Sequence, residues 1–273
     1  MTHSSSHNFK RITLTHLLKM KKQGEKITML TAYDATFSKL FSDVGVEVIL
    51  IGDTLGMVIG GHKTTIPVTI EDMIYHIQNV CRPQPRSLIL GDMPFLSYTN
   101  PEKALENAGR LMQAGAEMVK LEGGAWLTPI IEQLSEKGIP VCAHLGLTPQ
   151  SVHFFGGYKV QGRGKEQGEE IVRAAMTQEK AGAKMLVLEC IPYLLAQEIT
   201  AAVNIPVIGI GAGPYCDGQV LVTYDMLGLN PYMNLTFVRN FLQGQNDGIQ
   251  GAVKEYIRQV KSAEFPNLEQ SFS

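Results

Sequence analysis

The stretch Val48-Ile49-Leu50-Ile51-Gly52-Asp53 sets four consecutive aliphatic residues before a glycine and a carboxylate. A short apolar run bounded in this way reads as a strand buried on both faces, the kind found in parallel sheets. The pattern recurs twice: Leu88-Ile89-Leu90-Gly91 runs into Asp92, and Met118-Val119-Lys120-Leu121 runs into Glu122. In an α/β barrel or open sheet, the C-terminal ends of the strands form the mouth where active sites are built. Three carboxylates at successive strand ends make a candidate cage for a hard divalent cation such as Mg²⁺. That ion takes oxygen ligands and leaves positions for substrate and water. A single strand-end Asp serves equally well as a helix N-cap or a surface charge, so the reading rests on the three together.

Working outward, runs of strand character fall at 27–32, 47–52, 87–92, 117–122, 139–144, 184–190, 205–210 and 219–224. Stretches of helical period lie between them. In Pro101 to Met112, residues Ala104, Leu105, Ala108, Leu111 and Met112 share one face, with Asn100-Pro101 supplying a cap and a first-turn proline. Gly168 to Ala183 repeats the theme, with Ile171, Ala174, Ala175 and Ala181 facing inward. A helix near Leu14–Lys22 precedes the first strand and is placed to close a barrel floor. Eight strands alternating with helices predict a (β/α)₈ TIM barrel. A doubly wound sheet is the alternative, but the chain lacks a dinucleotide fingerprint. No composition break divides the chain, which reads as one barrel domain over 1–273, with 1–10 and 262–273 as loosely held tails.

Composition narrows the function classes. Lys and Arg number 24 against 26 Asp and Glu in 273 residues, a net charge of −2, which leaves no electrostatic footprint for nucleic acid or an anionic membrane. Cys81, Cys142, Cys190 and Cys216 lie far apart without a C-x-x-C, which argues against zinc or a disulfide framework and for reduced thiols in a cytoplasmic protein. Met1 to Lys10 lacks the apolar core of a secretion signal. The longest charge-free stretch, Ile199 to Cys216, is broken by Pro206, Gly209, Gly211, Gly213 and Pro214, so it reads as a strand with flanking turns rather than a membrane span.

Several motifs carry a closer resemblance. Thr31-Ala32-Tyr33-Asp34, Gly52-Asp53-Thr54-Leu55-Gly56-Met57, Val119-Lys120-Leu121-Glu122-Gly123-Gly124, His144-Leu145-Gly146-Leu147-Thr148-Pro149-Gln150, Gly156-Gly157-Tyr158-Lys159-Val160-Gln161-Gly162-Arg163 and Gly209-Ile210-Gly211-Ala212-Gly213 together resemble ketopantoate hydroxymethyltransferases, from about residue 12 to 260. The resemblance implies a barrel of the phosphoenolpyruvate/pyruvate type. It implies Mg²⁺-dependent transfer of a hydroxymethyl group to 3-methyl-2-oxobutanoate, giving 2-dehydropantoate for pantothenate synthesis. The co-substrate would be 5,10-methylenetetrahydrofolate, and the protein a homo-oligomer, often a homodecamer. Three departures stand out. Thr54 replaces a more usual Ser, the basic residue common before Phe237 is absent, and Pro214-Tyr215-Cys216 is unusual.

Asp53 and Asp92 are the expected metal ligands, with Glu122 binding directly or through water. Asp53, Thr54, Asp92, Lys120 and His144 are the expected substrate contacts. Lys120 shares a strand face with Glu122. Its ammonium either pairs with the substrate carboxylate or serves a neighbouring acid; a Schiff base is the rival role, which three nearby acids oppose by holding the amine protonated. Glu189 ends the run Met185-Leu186-Val187-Leu188, where partial desolvation suits a general base, and the matching residue in the resembling family is the proton acceptor. Its alternative is a structural carboxylate. His144 either contacts substrate, orients a water, or is a satisfied polar residue. Gly209 to Gly213 reads as a tight turn, and Phe154 to Gly168 as a lid with Lys159 and Arg163 near folate's acidic tail. Two rival functions are a metal-dependent C–C lyase on another 2-oxo acid and a non-enzymatic barrel. The first calls for a cysteine-bearing loop motif that is missing here, the second for lost acids that are all present.

Overall fold

Eight parallel strands close on themselves in a computed structural model that describes residues 10–230 and 235–273. They are β1 (Ile27–Thr31), β2 (Val48–Ile51), β3 (Leu88–Asp92), β4 (Met118–Glu122), β5 (Val141–Gly146), β6 (Met185–Glu189), β7 (Val207–Ile210) and β8 (Gly218–Leu221). Each pairs with its chain neighbour, and β8 pairs back onto β1.

The two-residue period of a strand explains why the runs are apolar throughout. One alternate set, including Met29, Val48, Leu50, Leu88, Leu90, Met118, Cys142, Met185, Val187, Ile208 and Val220, fills the barrel interior as one cluster. The other set, including Leu30, Ile49, Ile89, Val119, Leu121, Ala143, Leu186 and Leu188, packs outward in a second cluster shared with the helices. Leu17 and Met20 of the helix Leu14–Gln23 join the interior cluster beside the first residues of the strands, and so plug the floor. Extending the inward series toward the C-terminal ends gives Asp92 after Leu90, Lys120 and Glu122 after Met118, His144 after Cys142, and Glu189 after Val187. Apolar layers below and a charged layer above follow from one periodicity.

Outer helices form at the two stretches of helical period read from the sequence, the second beginning and ending three residues earlier than expected. The helix Pro101–Ala114 is capped by Asn100, whose side-chain oxygen accepts from the Lys103 N–H at 2.8 Å. The helix Lys165–Lys180 buries Ala174, Ala175 and also Gln178, whose amide donates to the Gly123 and Gly124 carbonyls. Among the described residues no helix is long and apolar enough to cross a membrane, and all four cysteines are free thiols.

Residues 262–273 correct the expectation of a loose tail. Phe265 is buried edge-on to Phe241 and Tyr256, with ring centroids 5.2 and 6.1 Å away. The Tyr193 N–H donates to the Phe272 carbonyl at 2.8 Å, and the Phe272 ring lies edge-on to Phe237. The aromatic side chains of Phe265 and Phe272 supply apolar area that docks the segment. The other expected tail lies, apart from Lys10, outside the described residues, as do Pro231 to Asn234 in the segment before Phe237.

Candidate active site

A cavity of about 450 Å³ opens at the C-terminal ends of the strands. Leu50, Val187, Ile210 and Val220 form apolar wall, while Asp53, Asp92, Lys120, Glu122, His144 and Glu189 supply the charge. Strand register brings the latter together: Asp92 pairs with Lys120, Glu122 with His144, and Gly146 with Glu189. Asp53 follows β2 directly, and its backbone N–H donates to Asp92 Oδ2 at 3.1 Å. Thr54 also lines the cavity at the start of a one-turn helix, Leu55–Val58.

Lys120 lies at the centre of the charges. Its Nζ is 3.1 Å from Asp92 Oδ1, 3.3 Å from Glu122 Oε1 and 3.3 Å from His144 Nδ1. His144 bridges two acids, with Nδ1 3.3 Å from Glu122 Oε1 and Nε2 3.3 Å from Glu189 Oε2. The second contact lacks hydrogen-bond alignment and acts as an ion pair. Burial and the Lys120 charge both disfavour the imidazolium, yet Glu122 and Glu189 outweigh them and lift His144 to about 9. Burial likewise opposes charge on Lys120, but Asp92, Glu122 and Asp53 hold its ammonium well above the ordinary lysine range. Burial pushes Glu122 up, and Lys120 and His144 more than reverse that, to about 2. Asp53 goes the other way: burial, then the Glu122 and Asp92 charges, raise it well above a normal carboxylic acid.

These groups suit a hard divalent cation. One ligand oxygen from each of Asp53, Asp92 and Glu122 lies within 4.8 Å of the others. Asp92 Oδ1 is buried and accepts no aligned hydrogen bond. Burial and the neighbouring Glu122 and Asp92 charges disfavour a further negative charge on Asp53 in the metal-free chain, and a cation would relieve that. An all-oxygen donor set with uncompensated charge matches what Mg²⁺ prefers.

The six charged residues expected from the sequence thus share one cavity. Lys159 and Arg163 do not join them; both are exposed and stand outside the cavity lining. The lid segment instead contributes Tyr158, whose hydroxyl lies 3.6 Å from Met57 Sδ. Gly211 and Gly213 adopt positive φ, and a Cβ at either would run into Phe237 or Tyr193, so the glycine run is a tight structural turn. Sequence reasoning passed over Gln150, although it ends one of the quoted motifs. Its side-chain amide donates to Asp53 Oδ2 at 2.9 Å, and its backbone N–H donates to Glu122 Oε2 at 3.1 Å.

An all-parallel eight-stranded barrel closed in this way is a (β/α)₈ TIM barrel, and its fold is like that of solved members of the phosphoenolpyruvate mutase/isocitrate lyase superfamily. The fold match includes 2,3-dimethylmalate lyase, a member of that superfamily (TM-score 0.58, 14% identity, covering 80% of this chain and 82% of its own). It also includes phosphonopyruvate hydrolase in complex with oxalate and Mg²⁺ (TM-score 0.60, 13% identity, covering 83% and 86%). Within that fold, residues 11–268 match the family model of ketopantoate hydroxymethyltransferase, and the chain belongs to that family. The 3-methyl-2-oxobutanoate hydroxymethyltransferase of Nitrosococcus oceani is 57% identical over 263 residues, covering 96% of this chain and 99% of the relative. That of Tolumonas auensis is 53% identical over the same shares.

Proposed function

We propose that this chain transfers a hydroxymethyl group from 5,10-methylenetetrahydrofolate to 3-methyl-2-oxobutanoate, giving 2-dehydropantoate for pantothenate synthesis. Asp53, Asp92 and Glu122 would hold Mg²⁺, and Glu189 would be the proton acceptor. One observation carries the reading: three buried acids, a buried lysine and a fourth, more accessible acid converge on one cavity in a chain of this family. The reading extends to one barrel domain working in the cytoplasm as a homo-oligomer, with the decamer as the form the resemblance implies.

Each residue has a physical role in it. Asp53, Asp92 and Glu122 would hold a Mg²⁺ that would supply Lewis-acid polarisation of the substrate ketone and so acidify the adjacent C3–H. Lys120 stays cationic among Asp92, Glu122 and Asp53 and offers positive charge to the substrate carboxylate. A free amine for Schiff-base chemistry is disfavoured by the same neighbours. Glu189 faces the cavity with 16% of its side chain exposed and can take the C3 proton. His144 ties it to Glu122 and fixes its direction. The aliphatic wall of Leu50, Val187, Ile210 and Val220 suits a branched hydrocarbon end. Thr54 keeps a hydroxyl at the mouth while adding a methyl.

Solvent exchange of the C3 proton of 3-methyl-2-oxobutanoate, followed by NMR in D₂O, tests the proposal without the folate. Exchange should require Mg²⁺, stop on chelation, and leave no borohydride-trapped adduct on Lys120. Full-rate exchange after exhaustive chelation would refute the metal-dependent mechanism.

A further inference from the structure

Gln150 stands just past β5, outside the charged series, yet it is buried and touches two of the three acids. Its orientation is fixed by chemistry. The same amide atom lies 2.9 Å from Asp53 Oδ2 and 2.9 Å from the Met93 carbonyl oxygen. A backbone carbonyl only accepts, so that atom must be the nitrogen, and both of its hydrogens are committed. The amide oxygen is 2.5 Å from the Tyr98 hydroxyl, which gives its only hydrogen there. Tyr98 in turn accepts from the Glu122 N–H at 3.3 Å and stacks on Trp126 with ring planes 7° apart.

Three strands converge on this residue. Asp53 follows β2, Met93 follows β3 and Glu122 ends β4, and Gln150 hydrogen-bonds a group on each. Its amide occupies Asp53 Oδ2, and Asp53 Oδ1 accepts no hydrogen bond among the described residues. Its backbone N–H occupies Glu122 Oε2, so that Oε1 faces Lys120 and His144. An acidic cluster this deeply buried repels itself, and a neutral donor that pins individual oxygens counters that tendency without adding charge.

We propose that Gln150, held by Tyr98, is the positioning residue of the acidic cradle, fixing which oxygens of Asp53 and Glu122 face a divalent cation. The inference rests on the metal reading of the cradle and assigns a role to a residue beyond the ligands. A merely structural polar core residue would affect folding alone. A positioning residue sets metal affinity even where the fold is intact.

The test is Mn²⁺ binding to the full-length protein without substrates, followed by the paramagnetic resonance of free Mn²⁺. Gln150→Met keeps the length of the side chain and the backbone N–H while removing the amide. It should weaken Mn²⁺ binding about 10- to 100-fold, the usual effect of losing a hydrogen-bond partner behind a metal ligand. The apparent activation constant for Mg²⁺ should rise by a similar factor, with kcat largely recovered at saturating metal. Tyr98→Phe leaves the amide but frees its oxygen, and should weaken binding by a smaller factor in the same direction. It also keeps the test decisive if Gln150→Met fails to fold. Unchanged Mn²⁺ affinity in folded variants, beside normal binding by the wild-type chain, would overturn the positioning role alone. A wild-type chain that binds no Mn²⁺ would overturn the metal reading and this inference with it.

Discussion

Glu189 differs from its charged neighbours in one respect that bears on its role: its side chain keeps 16% exposure, where Asp92, Lys120 and Glu122 keep 5% or less. The buried three are committed to one another, while Glu189, among the described residues, pairs with His144 and faces the open cavity. Glu189→Gln preserves size and most hydrogen bonding but cannot accept a proton. Exchange at C3 and hydroxymethyl transfer should therefore fall together, by roughly 10²–10⁴-fold, with Mn²⁺ affinity nearly unchanged. Normal exchange with failed transfer would move the base elsewhere. Asp53 carries a second prediction. Burial, then Glu122 and Asp92, raise it above its ordinary 3.8. A raised folded value means that the metal-free fold binds an extra proton, so its stability declines as pH rises through that range. It also means that a cation must displace the proton. Metal affinity should fall as pH falls, with proton release on binding. Calorimetric titrations in buffers of different ionisation heat would detect this, and an affinity independent of pH between 8 and 5 would refute it. The six charged residues were legible in the sequence because five of them end apolar runs and Lys120 lies two residues before Glu122 on the same strand face. Gln150 was not, because its partner Asp53 lies 97 residues away and no local period points to it.

Gly146 shows how a single backbone position sets the geometry between two elements. It ends β5 at φ +94°, opposite Glu189, and a Cβ there would stand 2.2 Å from the Glu189 carbonyl oxygen. Gly146→Ala should cost roughly 1–3 kcal/mol in backbone strain alone. It should also push β5 from β6 where His144 meets Glu189, lowering activity beyond the loss of stability. Asn100→Ala is the matched control: it removes a cap bond at a residue outside the cavity lining, costing about 1 kcal/mol by urea denaturation with kcat unchanged. Equal activity losses in the two variants would refute the local effect at Gly146. The elements were largely readable, since all eight strands lie where apolar runs occur, but their ends were not. β5 and β7 begin two residues later than expected, after Pro140 and Pro206, which have no N–H for the ladder. Both prolines still give their carbonyls to it, accepting from Val119 and Leu186 at 3.1 and 2.9 Å. β8 stops at Leu221, before the expected 224, because Thr223–Met226 turns into a short helix that Thr223 Oγ1 anchors to the Thr31 carbonyl.

The closed barrel makes the chain's last residues part of its structure and of its site. Phe265 fills a buried aromatic group with Phe241 and Tyr256, and the Tyr256 hydroxyl donates within reach of the Met29 and Gln219 carbonyls on β1 and β8. That group lies against the seam where the barrel closes. Phe265→Ala should cost about 3–5 kcal/mol, as large-to-small changes in a buried aromatic cluster do. The thermal midpoint should fall by on the order of 10 °C, at roughly 2–4 °C per kcal/mol for a domain of this size. A loss within about 0.5 kcal/mol would mean that the segment hangs free, as surface substitutions behave. Phe272, seven residues on, should act differently. Its ring meets Phe237, and Phe237 lines the cavity. Phe272 is only partly buried, so truncating it leaves a smaller void than at Phe265. Phe272→Ala should therefore lower the midpoint less than Phe265→Ala while raising KM for the oxo acid or the folate, because Phe237 loses the side chain behind it. Measuring both substrates' KM together with the midpoint separates the two positions. If Phe272→Ala instead loses stability as Phe265→Ala does and leaves both KM values unchanged, the C-terminal segment closes the barrel but does not shape its cavity.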